Sequence, residues 1–150
     1  MKKLLFLLVL PCLVSAQNTI ASSIQNEWHY NLETAKELAD KQEKNILVYF
    51  TGSDWCPPCK MLKKDFFDTT EFNEAAQNYI LVYIDMPRKR DLLSPEQLIQ
   101  NKEIVASHNR KGVFPLLKVL NSKGESLGEY SGYAMNGDVR HHFRLLNKFD

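Results

Sequence analysis

Cysteine is scarce in this sequence. Three cysteines in 150 residues are too few for a disulfide-stapled secreted framework, which needs several widely spaced pairs. Glycine and proline are also sparse, at six each, and no repeat, low-complexity tract or interdomain linker interrupts the chain. That excludes collagenous and linker-rich architectures. Charge of one sign is missing as well. A formal net charge of +1 leaves no basic footprint for nucleic acid, and the run Arg88-Lys89-Arg90 reads as a solvated loop. Beyond the first 16 residues no apolar run is long enough to cross a bilayer.

What the sequence does have begins at its N-terminus. Lys2 and Lys3 precede a mostly apolar run from Leu4 to Val14, and Val14-Ser15-Ala16 ends it with small residues. The pattern predicts a secretory signal peptide over 1–16, too short to span a membrane comfortably. Pro11 before Cys12 is a poor fit to a lipidation box. Cleavage after Ala16 removes two lysines and no acid, so the formal charge passes from +1 to −1. It also removes Cys12, leaving Cys56 and Cys59. Residues 17–27 then form an N-terminal extension and 28–150 one domain, long enough to build a core without staples.

Two buried-strand patterns organise that domain, Ile46-Leu47-Val48-Tyr49-Phe50 and Tyr79-Ile80-Leu81-Val82-Tyr83-Ile84. Trp28 to Tyr30 predicts a short strand before a helix capped by Asn31, with Leu32, Ala35 and Ala39 on its inner face. Ser94-Pro95-Glu96-Gln97 predicts a helix start, with Ser as cap, Pro at the first position and the helix running to about His108. Leu116–Leu120 and Ser126–Tyr133 read as a hairpin around Asn121-Ser122-Lys123-Gly124. A last helix starting near Asn136 or Asp138 buries Val139, Phe143 and Leu146. The order implies an α/β fold: a central mixed sheet with helices on both faces.

The cysteine pair sits where the first buried strand ends, in "FTGSDWCPPCK". A bridge between residues three apart closes almost no loop and adds little stability, so chemistry is the better reason for it. A helix starting at Cys56 places Cys59 one turn on, on the same face and within bridging reach. Cys56 then lies at the positive end of the helix, which favours its thiolate, while Cys59 lies inside. An exposed attacker and a hidden resolver is the expected pairing. Pro57 and Pro58 fit the first turn, where a missing N–H costs little. They also remove two donors from around Cys56, so the nearest amides are those of Cys59 and Lys60 and thiolate stabilisation is moderate.

"ILVYFTGSDWCPPCK" resembles the active-site segment of the thioredoxin superfamily, and "GVFPLLKVLNSKGESLGEYSGY" resembles its later segment with a proline, a strand, a Gly turn and a last strand. The likeness covers most of 28–149 and is nearest to small exported thioredoxin-like proteins, similar to the C-terminal domain of transmembrane thiol reductases. It implies a thioredoxin fold. It implies that Cys56 attacks and Cys59 resolves, that Pro115 is a cis-proline beside the pair, that Phe114 offers its backbone to a substrate peptide, and that Trp55 shields the site. Thiol–disulfide exchange on protein disulfides needs no cofactor and no metal. Proline before the second cysteine leans towards a reductant, which in an oxidising compartment draws electrons from a membrane thiol carrier. A monomer, exported to the periplasm or another extracytoplasmic space, completes the expectation.

One departure stands out. Thioredoxin carries a buried acid in the strand before the motif, and here that strand reads Val48-Tyr49-Phe50. The segment to the motif is one residue longer, and Asp54 is not an evident substitute. Cys59 therefore has no assigned base other than water. The loop from Met86 to Ser94 is also longer than in thioredoxin. Three other readings are an oxidase or isomerase, a copper carrier of the same fold, and a redox-silent interaction module. The metal reading lacks a second ligand pair, since His29 and His108 are isolated and His141 and His142 point to different helix sides. All four read as surface or packing histidines. Tyr49, Phe50, Phe66 and Phe67 read as core.

Overall fold

The computed structural model describes residues 26–150; the predicted signal peptide, Cys12 and residues 17–25 lie outside the described residues. The order of elements is β1 (Trp28–His29), α1 (Leu32–Gln42), β2 (Asn45–Thr51), α2 (Pro57–Leu62), a π-helical turn (Lys63–Phe67), α3 (Thr70–Ala75), a 3-10 turn (Ala76–Asn78), β3 (Tyr79–Asp85), α4 (Pro95–His108), β4 (Leu116–Leu120), β5 (Ser126–Ser131) and α5 (Arg140–Phe149).

The five strands form one sheet in the order β1-β3-β2-β4-β5. β2 and β3 run parallel with Tyr49 opposite Tyr83 and Thr51 opposite Asp85, β1 adds to β3 in parallel, and β4 and β5 close the other side antiparallel. β2 and β3 are buried on both faces, which is why both read as near-continuous apolar runs. Their alternation splits the core in two. Ile46, Val48, Phe50, Ile80, Val82 and Ile84 pack with Leu32, Ala35 and Ala39 of α1 and Ile104 of α4. Leu47, Tyr49 and Leu81 pack with Leu62, Phe66, Phe67, Phe72, Phe143 and Leu146 on the opposite face. The central mixed sheet with helices on both faces is thus as expected.

The caps follow local chemistry. Asn31 Oδ1 accepts the Thr34 amide at 3.0 Å, Thr69 Oγ1 accepts the Phe72 amide at 3.2 Å, and Ser94 Oγ accepts the Gln97 amide at 3.2 Å. Two boundaries differ from the sequence reading. β5 stops at Ser131 because Gly132 takes φ +83°, a left-handed turn, and its amide donates to the Pro115 carbonyl at 2.8 Å. The last helix begins at Arg140, later than expected: Val139 is its cap residue, and the Asp138 carboxylate, outside the helix, accepts the Arg140 amide at 3.2 Å and pairs with its guanidinium at 2.7 Å.

Of the four histidines, His142 is the packing one. It is 1% exposed, its ring set against Phe66, Tyr130 and Tyr133, while its neighbour His141 is exposed and stacks on Tyr130. Burial holds His142 below its ordinary 6.5, and His108 is lowered likewise by burial and then by Lys118. The unfolded chain therefore binds a proton before the folded one does. Stability should be level above about pH 6.5 and fall as pH drops below it towards the lower folded values. Urea unfolding at pH 7.5 and 5.5 measures this drop. His142→Phe should shrink it, and an unchanged drop in that variant would remove His142 from the explanation.

Candidate functional site

The site forms where β2 ends and α2 begins. Cys56 and Cys59 are joined by a disulfide, with Cα atoms 5.3 Å apart. Cys56 is the cap residue of α2, and Pro57 and Pro58 occupy the first two helical positions. The Cys59 amide donates to Cys56 Sγ at 3.3 Å, while the Lys60 amide is used by the Cys56 carbonyl at 3.2 Å. Of the two nearest amides, one alone serves the sulfur. In one respect the sequence expectation needs correction. Cys56 is 3% exposed and Cys59 2%, so in the disulfide form the two do not differ in exposure. The asymmetry lies in position and hydrogen bonding: Cys56 is outside the helix and receives an N–H, and Cys59 is inside it.

Trp55 is fixed from four sides. Its Nε1 donates to the Met86 carbonyl at 2.8 Å, its ring meets Phe114 edge-on at 5.7 Å, and the Arg88 guanidinium lies over it at 4.5 Å. The fourth side is Gly52, where any side chain would fall inside the indole. Glycine there is required by this close approach. The Phe114–Pro115 peptide bond is cis, Pro115 is buried, and Phe114 is half-buried beside Trp55. Of the sequence-predicted residues, Trp55, Cys56, Pro57, Pro58 and Cys59 are contiguous, and Phe114, which precedes Pro115, meets Trp55 edge-on.

Several supporting residues escaped the sequence reading. Asp85 ends the buried strand β3 and is 6% exposed. Its carboxylate accepts the Ser53 amide at 2.8 Å and the Ser53 hydroxyl at 2.5 Å, which holds the segment leading to Trp55. The Asp85 carbonyl accepts from buried Asn101 at 2.7 Å. The available signal was an acid closing an otherwise apolar run. Asn109 holds the loop before Phe114 by bonding both the Val113 carbonyl, at 2.8 Å, and the Val113 amide, at 3.1 Å. Asp54 is likewise more than a neighbour of Trp55. Desolvation works against its ionisation, but the amides of Lys89 and Arg88, at 2.9 and 3.0 Å, outweigh it and hold the carboxyl below its ordinary value.

Tyr49 takes the inward position of β2 beneath the pair. Its hydroxyl donates to the Cys59 carbonyl at 3.2 Å, and burial pushes its phenol well above the ordinary value. Tyr83, opposite it, is pushed up to about 12 by burial and then by Asp85. Both stay protonated near neutral pH, so Tyr49 anchors the first turn of α2 as a donor and is no base for Cys59. Asp85→Ala should cost about 1 kcal/mol by leaving the Ser53 amide without its acceptor, and should slow exchange at the cysteines. Denaturant unfolding and a thiol-exchange assay check both; full stability and full rate together would contradict the positioning role.

A thioredoxin-like family profile matches residues 27–121, well over half of the chain. The chain belongs to the thioredoxin-like family. It is 29% identical to the disulfide bond reductase DsbH of Chlamydia pneumoniae over 81% of this chain and 77% of that one. It is 26% identical to the thioredoxin-related protein DsbJ of the same organism, over 90% of this chain and 42% of that protein, so it spans less than half of DsbJ. Among solved structures, a DsbH oxidoreductase superposes with a TM-score of 0.68 at 26% identity, covering 83% of this chain and 85% of that one. A cysteine pair that closes into a disulfide at the head of α2, on this fold, is the chemistry of a thiol–disulfide oxidoreductase.

Proposed function

We propose that the protein is an extracytoplasmic thiol–disulfide oxidoreductase that reduces protein disulfides, with Cys56 as attacking and Cys59 as resolving cysteine. The carrying observation is the Cys56–Cys59 disulfide at the start of α2, with the Cys59 amide directed at the Cys56 sulfur. In the reduced protein the same amide and the helix end stabilise a thiolate on Cys56. That thiolate attacks one sulfur of a substrate disulfide. The substrate S–S bond breaks, its other sulfur leaves as a thiolate and takes a proton from water, and a mixed disulfide with Cys56 remains. Cys59 gives its proton to water and attacks the Cys56 sulfur, releasing the second substrate thiolate. The substrate has gained two electrons and the protein leaves with Cys56 and Cys59 bonded.

In this reading Trp55, backed by Phe114, shields the pair, Pro115 serves as the cis-proline of the site, and Pro57 and Pro58 limit the donors to the Cys56 sulfur. Direction is supported by the proline before Cys59 and by the likeness to a protein named as a disulfide bond reductase. Export is supported by the basic, apolar and small-residue pattern of residues 1–16, with the mature monomer starting near Gln17. Electrons then come from a membrane thiol carrier. Mixing reduced protein with a disulfide-bonded protein should release one pair of substrate thiols per protein molecule. No release would overturn the reading. For localisation, N-terminal sequencing of the native protein should begin near Gln17, and an intact Met1 or a lipid-modified Cys12 would refute export by cleavage.

A further inference from the structure

The loop between β3 and α4 carries Arg88, Lys89 and Arg90, all exposed. A run of cations on a loop is ordinarily a solvated surface, but this one is anchored to the active site. The Asp54 carboxylate accepts the Arg88 and Lys89 amides at 3.0 and 2.9 Å, the Met86 carbonyl accepts from Trp55, and the Arg88 guanidinium sits 4.5 Å from the Trp55 ring centroid. Trp55 is the residue next to Cys56. On the other flank, the Lys60 ammonium donates to the Asp54 carbonyl at 3.0 Å, one residue past Cys59.

Among the described residues, none of the ion pairs involves Lys60, Arg88, Lys89 or Arg90. The acids beside these cations are Asp54, whose carboxylate is turned to backbone amides, Asp85, which is buried and bonded to Ser53, and Asp91, which is exposed. Four exposed-loop and flank cations against three acids, two of them engaged by Ser53 or backbone amides, make this rim positive on a chain whose net charge is only +1.

We propose that the Arg88–Arg90 loop, with Lys60, is a substrate-selecting rim that favours protein disulfides flanked by aspartate or glutamate. This rests on the thiol–disulfide exchange reading above. Attraction between exposed charges acts over about 8 Å at physiological ionic strength, which an extended peptide covers in about two to three residues. The acids that matter therefore lie within about three residues of the substrate cysteine. Rim charges of this kind act on encounter and orientation, so the selection appears in the second-order rate and in its salt dependence.

The test uses three synthetic peptides, each with one intramolecular disulfide flanked by Asp, Ser or Lys pairs, and stopped-flow mixing with the reduced protein. The expected order of rate constants is Asp, then Ser, then Lys, with about tenfold between the extremes at low salt. That spread should close as ionic strength rises from about 0.01 to 1 M, where the Debye length falls from about 30 to 3 Å. In the Arg88→Glu/Lys89→Glu/Arg90→Glu variant the order should invert. The ratio between peptides is the readout, so a general loss of rate in the variant leaves the test intact. Equal rates for the three peptides in the wild type, or an uninverted order in the variant, would overturn the proposal while leaving the exchange reading standing. No reaction with any peptide would overturn both.

Discussion

The Cys59→Ser variant should accumulate as a mixed disulfide with its substrate, and the Cys56→Ser variant should form none. The difference follows from where each sulfur sits. Cys56 caps α2 and accepts the Cys59 amide, so its thiolate is the one the helix end stabilises. Cys59 is inside the first turn, with its carbonyl held by Tyr49. Without Cys59 the reaction stops after the first exchange, and the bond between Cys56 and substrate has no internal nucleophile to break it. Multiple turnover should fall to the uncatalysed background in both variants. Non-reducing electrophoresis separates them: a shifted band for Cys59→Ser, none for Cys56→Ser. The opposite pattern would exchange the two roles, and trapping by both would end the asymmetry.

The Pro58→Ala variant should be the more oxidising protein. Cap residues accept from the amides two and three positions on, here Pro58 and Cys59. Proline removes the first of these, so the Cys56 sulfur has the Cys59 amide alone at 3.3 Å. Alanine at 58 restores a donor in a helix-compatible backbone. A second hydrogen bond stabilises the thiolate, lowers its pKa and favours the reduced form. Loosening the turn also disfavours ring closure. Both effects raise the potential, by an amount on the order of 30 mV for each tenfold change in the equilibrium. A potential that stays fixed or falls would refute the donor account. A raised potential with an unchanged Cys56 pKa would leave only the rigidity effect.

Much of this was legible because the fold's main elements are locally consistent. Asn31 and Ser94 mark helix starts by their own side chains, and β2 and β3 declare burial on both faces by continuous apolar runs. The motif itself carried Trp55, Cys56 and Cys59, and the resemblance supplied Phe114 and Pro115. What stayed hidden is long-range. Asp85 is a buried acid whose partner, Ser53, lies 32 residues away, and nothing local links the two. Tyr49 looks like any core aromatic until α2 places the Cys59 carbonyl over its hydroxyl. Arg88 reads as solvated, and it is exposed, yet Trp55 lies beneath its guanidinium. α5 starts late, with Asp138 outside it and paired with Arg140, which periodicity does not register.

The most direct test of the account is the reduction potential of the Cys56–Cys59 pair, measured by equilibrating the protein in glutathione buffers of known ratio. A reductant with one amide to its attacking sulfur should fall near the thioredoxin end of the scale, about −230 to −270 mV. A value near about −120 mV, where a strong disulfide oxidant lies, would contradict it.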